Sequence, residues 1–138
     1  MDAFVTIAAD VAAQLVQAAG AAGPAECGGV LGGPTADAIT TATAVTNIAA
    51  HPQTRYELEP AGVLAALDAI EAAGDVHVGF YHSHPRGPAR PSAVDRAAAA
   101  WPGAVYLICA PAADPEVAAF RYIDAAVGFE RLAITVVE

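Results

Sequence analysis

The segment Tyr81-His82-Ser83-His84-Pro85-Arg86-Gly87-Pro88-Ala89-Arg90-Pro91-Ser92-Ala93-Val94-Asp95 gathers the residue types of a hydrolytic metal centre: two imidazoles, a hydroxyl and a carboxylate. Upstream, the apolar run from Val76 to Phe80 has the character of a buried strand. Residues i and i+2 of a strand project from one face, so His82 and His84 can converge on one ion. A proline-punctuated loop follows, and Ser92 opens an alanine-rich stretch expected to be helical, with Asp95 in its first turn. Two neutral imidazoles and one carboxylate suit Zn²⁺ with a fourth position left for water, the pattern of catalytic rather than structural sites. Such a water has a pKa near 7, yet a base must still take its proton and pass it to a leaving amine. That base has to be a carboxylate from elsewhere in the chain.

Each piece also has a plainer reading. Ser92-x-x-Asp95 is a variant of the capping box, with Ser92 as N-cap and Asp95 facing the positive end of the helix, and capping is compatible with a role in chemistry. A lone His-x-His at a strand end is often only hydrogen-bonded. Glu26, after Pro24, taken alone is a solvated carboxylate, and the glycines after it are backbone freedom in a crowded strand.

Together, His82-x-His84, seven residues, Ser92, two residues and Asp95 resemble the zinc signature of the JAMM (MPN+, Mov34/PAD-1) metallopeptidases, in their compact prokaryotic form. Glu26-Cys27-Gly28-Gly29-Val30-Leu31-Gly32-Gly33 is similar to the Glu-x-x-Gly-x-Leu-x-Gly pattern that completes the site in that family. The resemblance covers nearly the whole chain. It implies that His82, His84 and Asp95 bind one zinc ion per chain, that Glu26 is the general acid/base, and that Ser92 donates to the oxyanion. It implies as substrate the bond after the flexible, usually Gly-Gly, tail of a ubiquitin-like or sulfur-carrier protein. Both an isopeptide bond to lysine and a short linear extension remain open. The alternative is a non-catalytic MPN scaffold, which typically lacks the ligands present here.

The segment Asn47 to Pro60 resembles the family stretch that runs beside the substrate tail, which makes Asn47, Arg55 and Tyr56 candidate substrate contacts. Arg86 and Arg90, inside the zinc motif, are candidates for a positive rim. His51 lies in the same segment, where it either borders the tail or belongs to an irregular connection. His77 lies at odd spacing from His82, so it is expected on the opposite strand face with a structural role. Cys27 and Cys109 form no Cys-x-x-Cys pair and are expected as small buried thiols in a reducing compartment.

The 138 residues carry a formal charge of −9, with 15 acidic residues against six basic ones, all of them arginine. Nucleic-acid binding depends on a basic patch, so it is not expected. Residue 2 is Asp instead of a basic signal-type residue, and no apolar stretch reaches a membrane span uninterrupted, so a cytoplasmic location is expected. The length suffices for one domain over residues 1–138 with a core of its own, and an apolar, alanine-rich surface permits a homodimer.

Periodicity and turn residues predict strands at Phe4–Ile7, Gly28–Gly32, Ala38–Asn47, Tyr56–Leu58, Val76–His82, Ala104–Ala110, Val117–Ile123 and Val127–Val137. Helices are predicted over Asp10–Ala22, Pro60–Ala73, with Val63, Leu64, Leu67 and Ile70 as its buried face, and Ser92–Ala100. This is an α/β chain with a mixed, mostly antiparallel sheet flanked by helices, in keeping with a single JAB1/MPN-like domain.

Overall fold

The computed structural model describes residues 3–138; Asp2 lies outside the described residues. The elements are β1 (Phe4–Ala8), α1 (Ala9–Ala21), β2 (Gly28–Gly33), β3 (Ala38–Ile39), β4 (Thr41–Val45), α2 (Pro60–Ala72), β5 (Val76–Ser83), α3 (Ala93–Ala98), β6 (Val105–Cys109), β7 (Val117–Asp124) and β8 (Gly128–Val137). The strands form one sheet in the order β3-β1-β8-β7-β6-β5-β2-β4. Pairs β3–β1, β1–β8 and β5–β6 are parallel and the other four antiparallel. The two terminal strands of that order, β3 and β4, are separated in the chain by Thr40 alone, whose N–H donates to Gly32 O at 2.9 Å. The sheet therefore curls back on itself, and the predicted single strand over 38–47 is broken at the bend.

α1 packs Val11 and Leu15 against Val5, Ile7, Leu31, Tyr81, Val105 and Leu107. α2 covers the other side, where Ala66 and Ile70 meet Val30, Phe80 and Tyr106. Its buried face runs through Val63, Ala66, Leu67 and Ile70, at spacings of three and four, whereas Leu64, expected among them, is 61% exposed. Segment Tyr56–Leu58 is not a strand. Among the described residues its ladder contact is an isolated bridge between Leu58 and Asn47 that closes the loop between β4 and α2.

β5 carries the imidazoles down the middle of the sheet. Gly79 is required there, because a Cβ at that position would come within 1.7 Å of Val105 O on β6. Beside it, the β2–β5 register slips: Leu31 pairs with Gly79 but Gly32 pairs with His77, leaving Val78 as an extra residue. The slip reverses the alternation. His77 consequently shares a side with Phe80 (ring centroids 4.9 Å apart) and Trp101 (5.2 Å), contrary to the opposite-face expectation. Its role is nonetheless packing, with Nε2 3.0 Å from Gly79 O.

Candidate metal centre

Past Phe80 the alternation is regular, and β5 delivers His82 and His84 to its C-terminal end, both buried. His84 N donates to Cys109 O at 2.8 Å, which extends the β5–β6 ladder beyond Ser83 and fixes the second imidazole. The carboxylate arrives from the first turn of α3. Ser92 Oγ accepts from Asp95 N at 3.0 Å and Ser92 N donates to Asp95 Oδ2 at 2.8 Å, a reciprocal capping box. The plain reading of Ser92-x-x-Asp95 is therefore realised, and it aims the carboxylate. Because the cap uses Oγ as an acceptor, the hydroxyl proton of exposed Ser92 is not consumed by it.

His82 Nε2, His84 Nε2 and Asp95 Oδ2 form a nearly equilateral triangle with sides of 3.1, 3.1 and 3.0 Å. Tetrahedral ligands about 2.0–2.1 Å from zinc are ~3.3 Å apart, so these donor atoms stand close to the spacing of a shared cation. Tautomers agree. His84 Nδ1 lies 2.8 Å from Pro88 O, a contact only an N–H can make, which leaves its Nε2 lone pair facing the triangle. With the Glu26 carboxylate the group spans 4.8 Å at most.

Electrostatics divide the four groups. Burial pushes the Asp95 carboxyl upward, but contacts with both imidazoles and the Ser92 N–H outweigh it and hold the group far below the usual carboxylate range. Burial lowers His82. His84 is raised, since its bonds to Asp95 and the Pro88 carbonyl overcome its burial. Glu26 has a buried Oε1 with no hydrogen-bond partner among the described residues, and this desolvation lifts it to about 7, with His84 pulling down and Asp95 adding to the rise. A carboxylate poised near neutrality is suited to moving protons.

The Glu26 backbone is held at three points. Its N–H donates to Pro52 O at 2.6 Å, its carbonyl accepts from Asn47 Nδ2 at 2.9 Å, and the neighbouring Cys27 N–H donates to Ser83 Oγ at 2.9 Å. Ser83 N also donates to Cys27 O, so the serine between the two imidazoles clamps the Glu26 segment to the strand that carries them. Ser83 lies one residue past the predicted end of the strand and carried no expected role; its signal was a hydroxyl placed between the two imidazoles.

A family model described as prokaryotic homologs of the JAB domain matches residues 8–123. The chain belongs to this family. A desampylase of Haloferax volcanii is 56% identical over 95 residues, 67% of this chain and 68% of the relative. A probable TtuB-protein conjugate cleaving protease of Thermus thermophilus is 44% identical over 55 residues, 40% of this chain and 37% of that protein. A solution structure from Desulfitobacterium hafniense superposes with a TM-score of 0.84 at 28% identity, covering 98% and 94% of the two chains. A JAB1/MPN domain protein from Archaeoglobus fulgidus, at 17% identity and a TM-score of 0.63 over 96% and 98%, shares the fold.

Within this JAB domain, the residues expected to touch substrate fall into two groups. Asn47 spends its whole amide internally: Nδ2 donates to Glu26 O and Arg55 O, and Oδ1 accepts from Ala49 N and Glu57 N. It braces the loop and the Glu26 backbone. Tyr56 lies flat on His82, with centroids 4.2 Å apart and planes at 20°, and burial together with the Asp95 charge holds its phenol well above the ordinary range. Arg55, Arg86 and Arg90 are exposed, and the last two line a cleft with Glu26, His84 and Ser92. His51 is at the loop tip, where its carbonyl accepts from the Thr54 and Arg55 N–H groups. Cys27 and Cys109 are both free; Cys109 is buried, with Sγ 3.7 Å from Leu15 O, while Cys27 is only partly covered. Among the described residues no helix is long and apolar enough to cross a membrane.

Proposed function

We propose that this chain is a zinc-dependent peptidase that hydrolyses the bond following the C-terminal tail of a ubiquitin-like or sulfur-carrier protein. The observation that carries the reading is the 3.0–3.1 Å triangle of His82, His84 and Asp95 with the desolvated Glu26 beside it. The names of the Haloferax and Thermus relatives, a desampylase and a conjugate-cleaving protease, supply the substrate class. A scaffold role has no need of a complete donor set with an unpartnered buried carboxylate.

His82, His84 and Asp95 would hold one zinc ion per chain, which supplies Lewis acidity to a water and to the scissile carbonyl. Glu26, near neutrality and fixed by its backbone, accepts the proton of the attacking water and returns it to the departing amine. Ser92 offers its uncommitted hydroxyl proton to the developing oxyanion, a kind of donor worth roughly 3 kcal/mol of barrier. Asn47 holds the loop bearing Arg55 and Tyr56 so that an extended tail can be laid beside it. The free cysteines fit a reducing cytoplasm.

The test is direct. Purified protein should contain about one zinc per chain, cleave a Gly-Gly-tailed conjugate, lose activity to a chelator and regain it with zinc. A protein that takes up no metal, or cleaves equally well after complete metal removal, is not this enzyme.

A further inference from the structure

We propose that Arg86 and Arg90 form a carboxylate-binding subsite on the leaving-group side of the scissile bond. This rests on the peptidase reading and narrows its substrate. The cleft at the metal centre has a volume of about 490 Å³ and is lined by two separate segments, Gln53 and Thr54 from one loop and the stretch from His84 through Arg86 and Arg90 to Ser92 from another, together with Glu26. Gln53 and Thr54 belong to the loop assigned above to the carrier tail. With the tail laid along that loop and the bond at Glu26 and Ser92, the segment left to receive the departing group is the one that carries the two arginines.

The two guanidiniums are unengaged. Arg121 pairs with Asp37 at 2.9 Å and Arg131 lies 6.0 Å from the Phe120 ring centre, but among the described residues Arg86 and Arg90 have no ion-pair or hydrogen-bond partner. In a chain with 15 acids and six bases, leaving two cations unpaired in one cleft is a local reversal of sign on a body of charge −9. An acidic group entering this cleft meets forked donors able to bind a carboxylate bidentately.

Their supports are firm. Between the two arginines, Ala89 is buried against Ile108, Ala110, Ala118 and Phe120, while Gly87 N and Pro88 O bond His84. The loop that orients a ligand imidazole thus also presents both guanidinium stems, which lowers the ordering cost of binding. A carboxylate on the departing side has two sources: the free α-carboxylate of a short linear extension, or an acidic side chain flanking an acceptor lysine.

Two substrate pairs separate them, each built on a Gly-Gly carrier that the zinc-loaded wild type cleaves. One pair ends in a single alanine, as free acid or as amide. The other is isopeptide-linked to a blocked peptide with either Asp-Lys-Asp or Asn-Lys-Asn. Wild type should prefer the charged member of one pair by about tenfold or more in kcat/KM, and the pair in which it does names the source. Arg86→Gln with Arg90→Gln should remove that preference at unchanged zinc content, losing about tenfold more on the charged member than on the neutral one. If carriers are cleaved but neither pair shows a preference, or the preference survives in the double variant, the subsite is disproved while the peptidase stands. If no Gly-Gly conjugate is cleaved at all, the peptidase reading itself falls.

Discussion

The His82, His84 and Asp95 triangle and the loop over residues 46–59, whose Tyr56 stacks on His82, are built by opposite means. The triangle is made from regular elements: a strand end, a ladder extension through His84, and a helix N-terminus closed by its own capping box. The loop has no strand of its own. It is held by one bridge and by the saturated amide of Asn47, which ties it to the backbone of Glu26. The proposed ligands are therefore fixed by secondary structure, and the proposed base by backbone bonds to Pro52 and Asn47 and by the Cys27–Ser83 clamp. Damage to the first region should remove the metal, whereas damage to the second should leave metal bound and misplace the chemistry.

The largest effects belong to the triangle. Asp95→Asn or His84→Ala should abolish zinc binding and lower kcat/KM by at least ~10³-fold, checked by metal analysis beside turnover. Full zinc in either variant with normal rate would remove these residues from the ligand set. Glu26→Gln should keep zinc yet lose ~10²–10⁴-fold in kcat, since only the proton carrier is removed.

Ser92 can be divided into its two roles. Ser92→Ala loses the cap, about 1 kcal/mol of stability, and the donor, ~10²-fold in kcat; Ser92→Asp restores the cap acceptor but not the donor. Thermal melts should therefore separate the variants while their rates stay similarly low. Recovery of rate with Asp would show that Ser92 acts only through Asp95. Across the cleft, Asn47→Ala should cost on the order of tenfold in kcat with zinc retained, because the brace of the base and loop is lost. If zinc is lost as well, the two regions are not separable as described.

The smallest effect is thermodynamic. Glu26 has a folded pKa of about 7 against an unfolded value of 4.5, so folding takes up a proton between these values and stability falls as pH rises through that window. Metal-free Glu26→Gln should thus exceed metal-free wild type by about 1–3 kcal/mol at pH 8, with the gap closing toward pH 4.5. An equal gap at both pH values would mean that the stability gain has a cause other than a desolvated charge.

The same contrast explains what the sequence made legible. His82 and His84 could be read because alternation on a strand is covalent geometry, and the start of α3 because Ser92 and Asp95 complete a local hydrogen-bond pattern. Asn47 could not be understood that way: its four partners come from residues 26, 49, 55 and 57, and only the folded loop shows that nothing remains for substrate. Period-2 counting also failed at His77, since Val78 is an extra residue in the pairing with β2, a feature set by another strand. Leu64 was misplaced because an alanine, Ala66, takes the buried position. In an alanine-rich helix apolarity alone does not mark a face.

Trp101 is the one tryptophan in the chain, and it stands 45% exposed at the mouth of a second cavity lined also by Tyr56, Phe80 and Tyr106. Tyr56, through its ring on His82, belongs to both that cavity and the metal centre. The molecule therefore contains an intrinsic fluorophore that lines the same cavity as the ring stacked on His82, and titration of zinc or of a tail peptide should be readable as light emission from unlabelled protein.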